Sequence, residues 1–137
     1  MTKSRKLIHV ETIPMRWGDM DASGSAGNAA HFRYMEQARI GWSRAMPRMD
    51  RADRTGMVVV TAHCRFNRRL RYPGTIEVKL YAEAPGRSSV QSIYELRRAG
   101  EDIVYAEGGA KIVWVDFSLG KSCALPQALR EACELEE

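Results

Sequence analysis

Cysteine is scarce in this sequence and poorly placed for structural work: three residues, Cys64, Cys123 and Cys133, an odd number without C-x-x-C spacing. Neither a disulfide framework nor a zinc site follows from such a set, and a reducing compartment fits it best. No stretch approaches the roughly 18 apolar residues that a membrane-crossing helix needs. The leading Met-Thr-Lys-Ser-Arg-Lys is basic but runs into a short alternating segment rather than an apolar signal region. A soluble, cytoplasmic protein without a membrane partner is expected. Aromatic residues make up only 8% and are not interleaved with the arginines at a stacking spacing, so nucleic acid is not an expected partner. Internal repeats, low-complexity tracts and linkers are missing too. The 137 residues are expected to form a single domain, 1–137, large enough to bury its own core.

The charge that is present leans positive, 21 Lys+Arg against 17 Asp+Glu for a net +4, which favours anionic ligands without naming one. Arg65, Arg68, Arg69 and Arg71 lie close together, Arg87 stands alone after Pro85-Gly86, and Arg97 and Arg98 adjoin a turn. The plain reading of these is a solvated face.

His9 to Trp17 alternates as a strand, with Pro14 marking an edge or strand end. Gly18 to Asn28 is dense in small, turn-forming residues and reads as a loop. A helix is predicted from an Asn28 N-cap to about Met46, stopped by Pro47, with Phe32, Met35, Ala38 or Arg39, Trp42 and Ala45 as its apolar stripe. After a polar connection, Arg48 to Thr55, strands are predicted over Met57 to Arg69, Thr75 to Ala84, Ser88 to Arg98 and Ile103 to Phe117, separated by Tyr72-Pro73-Gly74, Pro85-Gly86 and Ala99-Gly100-Glu101-Asp102. In the second of these strands Ile76, Val78, Leu80 and Ala82 form one face. The last strand is apolar on both faces, Ile112 and Trp114 against Val113 and Val115, which one helix does not cover; a second subunit is expected. Pro126 opens a short helix through Leu135. The order predicts an α+β domain, a curved antiparallel sheet wrapped around one long central helix.

Arg16-Trp17-Gly18-Asp19-Met20-Asp21-Ala22-Ser23-Gly24, continuing to Asn28, supplies what acyl transfer needs. A loop carboxylate serves as nucleophile or general base. Free N–H groups at a helix start stabilise an oxyanion. The plainer alternative makes Asp19, Asp21 and Ser25 turn and capping residues.

These residues, with Phe32-Arg33-Tyr34-Met35-Glu36-Gln37-Ala38-Arg39, Gly86-Arg87-Ser88-Ser89, Ala106-Glu107-Gly108 and Val113-Trp114-Val115-Asp116, resemble the 4-hydroxybenzoyl-CoA thioesterase family, the hot-dog acyl-CoA thioesterases, from about Val10 to Leu129. The resemblance implies a hot-dog fold, hydrolysis of acyl-CoA to free acid and coenzyme A, no cofactor and no metal, and a site shared between subunits of a homodimer or dimer of dimers. It implies that Asp21 is the catalytic aspartate, that Asn28 offers the oxyanion N–H, and that Arg87, Ser88 and Ser89 lie near the nucleotide of coenzyme A. Ser25-Ala26-Gly27 departs from the family, where many members have His-Val-Asn. That leaves a non-hydrolytic acyl-CoA or acyl-carrier binding protein as the alternative. Glu36 is a second candidate base, ranked below Asp21. His31 and His63 have no partners at metal or dyad spacing.

Overall fold

The computed structural model describes residues 4–46, 54–83 and 85–134. In chain order it has β1 (Arg5–Pro14), a 3-10 turn (Trp17–Asp19), α1 (Asn28–Ala45), β2 (Thr55–Phe66), β3 (Thr75–Glu83), β4 (Ser89–Arg98), β5 (Ala106–Asp116), β6 (Lys121–Ser122) and α2 (Gln127–Cys133). The strands form one antiparallel sheet in the order β1-β3-β4-β5-β2, with β6 on the end of β5. It curves around α1, the hot-dog arrangement, and α2 lies against β1.

β3 buries Ile76, Val78, Leu80 and Ala82 as the alternation predicts, joined by Val90, Tyr94 and Leu96 from β4 and Ala110, Ile112 and Trp114 from β5. Onto this face α1 presents His31, Tyr34, Met35, Ala38 and Trp42. Phe32 is 36% exposed and leaves the predicted stripe. The run 31-35-38-42 is the true helical stripe, and its first member is a histidine, which concealed it. Helix and sheet come close where β5 has no side chain: a Cβ on Gly108 would lie 2.8 Å from Met35 Sδ. Burying side chains the size of Met35 stabilises the fold by about 1.5–3 kcal/mol each.

Boundaries differ from the expected ones for identifiable reasons. β1 begins at Arg5, since a bulge between Leu7 and His9 breaks the period-two pattern, and it ends at Pro14, after which Met15 N–H donates to Gly74 O. β2 stops at Phe66 and β5 starts at Ala106 because Tyr105 O receives both Asn67 and Arg68 N–H at 2.9 Å, turning each chain out of the sheet. β6 went unpredicted; Asp116 builds its turn by accepting from Ser118 N–H, Ser118 Oγ and Leu119 N–H. The N-cap of α1 is Gly27, and Asn28 is the first helical residue. Pro47, most of Arg48 to Thr55, Ala84 and Leu135 lie outside the described residues. Among those described, no helix is long and apolar enough to cross a membrane.

Candidate active site

The segment between β1 and α1 is a small hairpin. Met20 and Ala26 form an antiparallel bridge, Asp21 N–H donates to Ser25 O at 2.7 Å, and Gly24 N–H donates to Asp21 O at 3.1 Å. Gly24 has φ +80°, a left-handed conformation that suits glycine at this tight tip. A second bridge, Ser25 to Arg71, pins the hairpin to the β2–β3 connection, with Ala26 N–H donating to Leu70 O at 2.8 Å and Tyr72 N–H to Gly24 O at 3.1 Å.

The two aspartates of the hairpin occupy opposite environments. Asp19 is buried; its carboxylate accepts from the Tyr34 hydroxyl at 3.0 Å and from Arg16 and Arg33, while its main-chain oxygen accepts Gly27 N–H at 3.1 Å. Burial would raise its pKa, but the bonds from Tyr34 and Arg16 outweigh that and hold it below the usual value. Burial, and then the bond to Asp19, pushes the Tyr34 hydroxyl well above its ordinary pKa, so it stays a donor. Asp19 therefore joins the loop to the helix.

Asp21 is exposed. Its Oδ1 accepts from Ser23 Oγ at 2.6 Å, Ser23 N–H at 2.9 Å and Ser25 N–H at 3.3 Å. Oδ2 has no partner among the described residues. The Ser23 hydroxyl first, then the two N–H groups, lower the Asp21 pKa and keep the carboxylate ionised near neutrality. Arg69 braces this arrangement, its Nη2 donating to Ser23 Oγ at 2.6 Å and its Nε to Ser25 Oγ at 3.0 Å. Sequence reasoning missed Arg69 and Tyr34: one was hidden in an arginine run, the other among helix positions assigned no role.

At the head of α1, Gly27 O accepts Ala30 N–H at 3.1 Å, His31 N–H at 3.4 Å and a bond from His31 Nδ1 at 2.8 Å. The N–H groups of Asn28 and Ala29 have no partner among the described residues, as the first turn of a helix dictates when no cap side chain is present. Asp21 and this positive helix end thus belong to one hydrogen-bonded segment, joined by the Met20–Ala26 bridge and by Gly27 N–H on Asp19 O.

Arg87, Ser88 and Ser89 do not join them within the chain. They precede β4 or open it, at the end of the sheet where Leu125 N–H and Arg130 Nη2 both donate to Arg87 O. The Asp21 hairpin lies at the other end, beside the β2–β3 connection whose Arg71 O accepts from Arg98 on the last residue of β4. The ten residues of β4 at about 3.4 Å each separate the two groups by roughly 30 Å. Glu36 is exposed on a cleft of about 430 Å³ that it shares with Arg16, Asp19, Tyr34, Gln37 and Ile40; Asp21 is not among its walls. His63 lies on β2 opposite Gly109 and lines a cleft with Thr61, Arg65 and Gln91 whose walls include no hairpin residue. Burial pushes the thiols of Cys64 and Cys133 up to about 11, leaving them poor nucleophiles.

Residues 15–133 match the thioesterase-like superfamily, and the chain belongs to it. It is similar to the structure of a candidate thioesterase from Pseudomonas aeruginosa, with 32% identity over 93% of this chain and 98% of that one and a TM-score of 0.83. It is also similar to a candidate acyl-CoA thioesterase from Xanthomonas campestris, with 31% identity over 81% and 95% of the two chains and a TM-score of 0.74. A 1,4-dihydroxy-2-naphthoyl-CoA thioesterase from Synechocystis shares the fold at a TM-score of 0.81 with 16% identity, over 90% of this chain and 93% of that one. No protein with a curated description matches the chain.

Proposed function

We propose that this protein hydrolyses acyl-CoA thioesters to the free acid and coenzyme A, as a member of the 4-hydroxybenzoyl-CoA thioesterase type. The observation that carries the reading is the pairing of an anchored, ionised Asp21 whose Oδ2 is free with the unpartnered Asn28 and Ala29 N–H groups a few residues on. In the general-base route Oδ2 takes a proton from water, the water oxygen attacks the thioester carbon, the oxyanion meets the Asn28 N–H, and the C–S bond breaks as the thiolate gains a proton. In the nucleophilic route Oδ2 attacks the carbon itself, coenzyme A leaves as its thiolate, and water attacks the Asp21 carboxyl carbon of the mixed anhydride, releasing the acid and giving one of its protons to the thiolate. Single turnover in ¹⁸O water separates the routes, since only the second places label in the protein.

The nucleotide contact assigned to Arg87, Ser88 and Ser89 comes from a second copy. β2 is an edge strand paired only with β5 among the described residues, and it carries exposed Val58 (37%), Val60 (53%) and Phe66 (43%). Antiparallel pairing of two such edges about a two-fold axis places the Phe66 end of one chain beside the Thr55 end of the other. That brings the Asp21 end of the sheet toward the partner's Ser89 end. An arginine there suits the phosphates of coenzyme A.

The test is thiol release from short-chain, long-chain and aromatic acyl-CoAs. Turnover of at least one class is expected. Tight binding of acyl-CoA without turnover would replace hydrolysis by the binding-protein reading.

A further inference from the structure

Resting on the proposed hydrolysis, we infer that His31 is a positioning residue that fixes the direction of the Asn28 N–H. That N–H and the Gly27 carbonyl belong to one planar peptide unit, so whatever holds the carbonyl aims the donor. At most helix starts the N-cap side chain ties down the first turn. Gly27 has no side chain, and no cap bond forms there.

The tie comes from inside the helix instead. His31 Nδ1 lies 2.8 Å from Gly27 O, and because a carbonyl only accepts, Nδ1 carries the hydrogen; burial disfavours the charged ring, so the neutral imidazole has Nε2 as its bare nitrogen. The two main-chain bonds to the same oxygen are longer, 3.1 Å from Ala30 and 3.4 Å from His31. The imidazole is itself enclosed: His31 is 3% exposed, and its ring meets Phe66 of β2 edge-on, with centroids 4.8 Å apart at 86°. Through this contact the sheet, by way of the ring, holds the peptide.

His31 Nε2 is buried without a partner among the described residues. A bare buried nitrogen is unfavourable, and an apolar ring would fill the same space against Phe66 without it. The bond made by the other nitrogen accounts for an imidazole at this place. The contact matters most when negative charge develops on the thioester oxygen, and less in the ground state, so its loss affects kcat before KM.

The experiment compares His31→Phe and His31→Asn in acyl-CoA turnover. Phenylalanine keeps the ring but loses the donor; asparagine places its amide nitrogen where Nδ1 stood. Deleting an oxyanion donor costs about 10²–10³ in kcat, and a misdirected one is expected to cost roughly 10- to 100-fold in His31→Phe, with KM changed by no more than about twofold. His31→Asn is expected to recover most of the loss, and ¹⁵N spectra of the wild type to show Nδ1 protonated. A wild-type kcat in His31→Phe overturns the inference alone, as does an equal loss in both variants or an Nε2-protonated imidazole. If His31→Phe does not fold, the asparagine variant and the tautomer decide. A wild type that hydrolyses no acyl-CoA overturns the parent reading, and this one with it.

Discussion

Replacing Asp21 by asparagine separates a chemical role from a structural one, because the two oxygens of Asp21 do different things. Oδ1 holds the hairpin through three donors from Ser23 and Ser25, and an asparagine oxygen accepts the same three. Oδ2 makes no bond among the described residues, so the amide nitrogen that replaces it disturbs nothing there. The fold and acyl-CoA affinity are therefore expected to survive, while turnover falls by about 10² to 10⁴ if Asp21 is a general base, and further if it is the nucleophile. Asp19→Ala is the contrasting control. It leaves the hydroxyl of Tyr34, a residue only 3% exposed, without its acceptor, which costs about 1–3 kcal/mol. For a domain of this size that lowers the melting temperature by roughly 3–12 °C. Thiol release and thermal melts on the same preparations read both effects. Asp21→Asn with wild-type kcat would refute the mechanism and make Glu36 the leading base. Parallel losses of melting temperature, binding and activity would make Asp21 a turn residue.

Ser23→Ala removes the largest cause of the lowered Asp21 pKa, so the acid limb of kcat/KM, expected below the ordinary carboxylate value of 3.8 in the wild type, is expected to move upward; an unmoved limb dissociates the limb from Asp21. For stability the same sign applies to Asp19: its depressed pKa contributes stabilisation that is present above about pH 4 and lost as the pH falls through the folded value, so Asp19→Ala is expected to show a shallower acid slope in its melting temperature. Arg87→Ala is expected to raise KM with kcat nearly unchanged, as a phosphate contact remote from the thioester binds ground and transition states alike, and equal KM values would remove the assignment. Light scattering is expected to give a dimer or larger assembly that Val60→Lys on the open β2 edge dissociates with loss of turnover; a stable wild-type monomer at micromolar concentration would remove the shared site.

The fold was legible where burial imposed a strict period. β3 alternates because one face meets α1 and the other is half-buried, and its predicted core residues are the observed ones. The pattern failed where backbone bonds rather than side chains set the structure: the bulge in β1, the junction at Tyr105 O and the two-residue β6 leave no periodic trace. At the site, the resemblance located Asp21 and the helix start together. It did not reveal that Asp19 is the buried acid of the pair, since an Asp-x-Asp spacing is silent on which carboxylate meets Tyr34. Nor did it reveal that Arg87 lies a full strand away, because sequence distance says nothing of which end of a sheet a turn occupies.

The departure at Ser25-Ala26-Gly27 acquires a physical reading from the same contacts. Where many members of the resembled family carry histidine, this chain has buried Ser25, whose hydroxyl accepts from Arg69 and whose N–H reaches Asp21 Oδ1. An imidazole beside a carboxylate could exchange a proton with it near neutral pH. A guanidinium does not give up its proton, so Arg69, acting through Ser23 and Ser25, favours only the ionised form of Asp21. On the proposed mechanism the loop therefore keeps Asp21 poised to attack or to accept a proton, and any proton it takes has to leave to bulk water through the exposed Oδ2. The bonds that lower the Asp21 pKa make it a weaker base and a weaker nucleophile together, so they favour neither route over the other. The ¹⁸O single-turnover measurement decides between them: label in Asp21 is the mark of direct attack, and label confined to the released acid, with no acyl-aspartyl adduct trapped by hydroxylamine, leaves Asp21 as the general base.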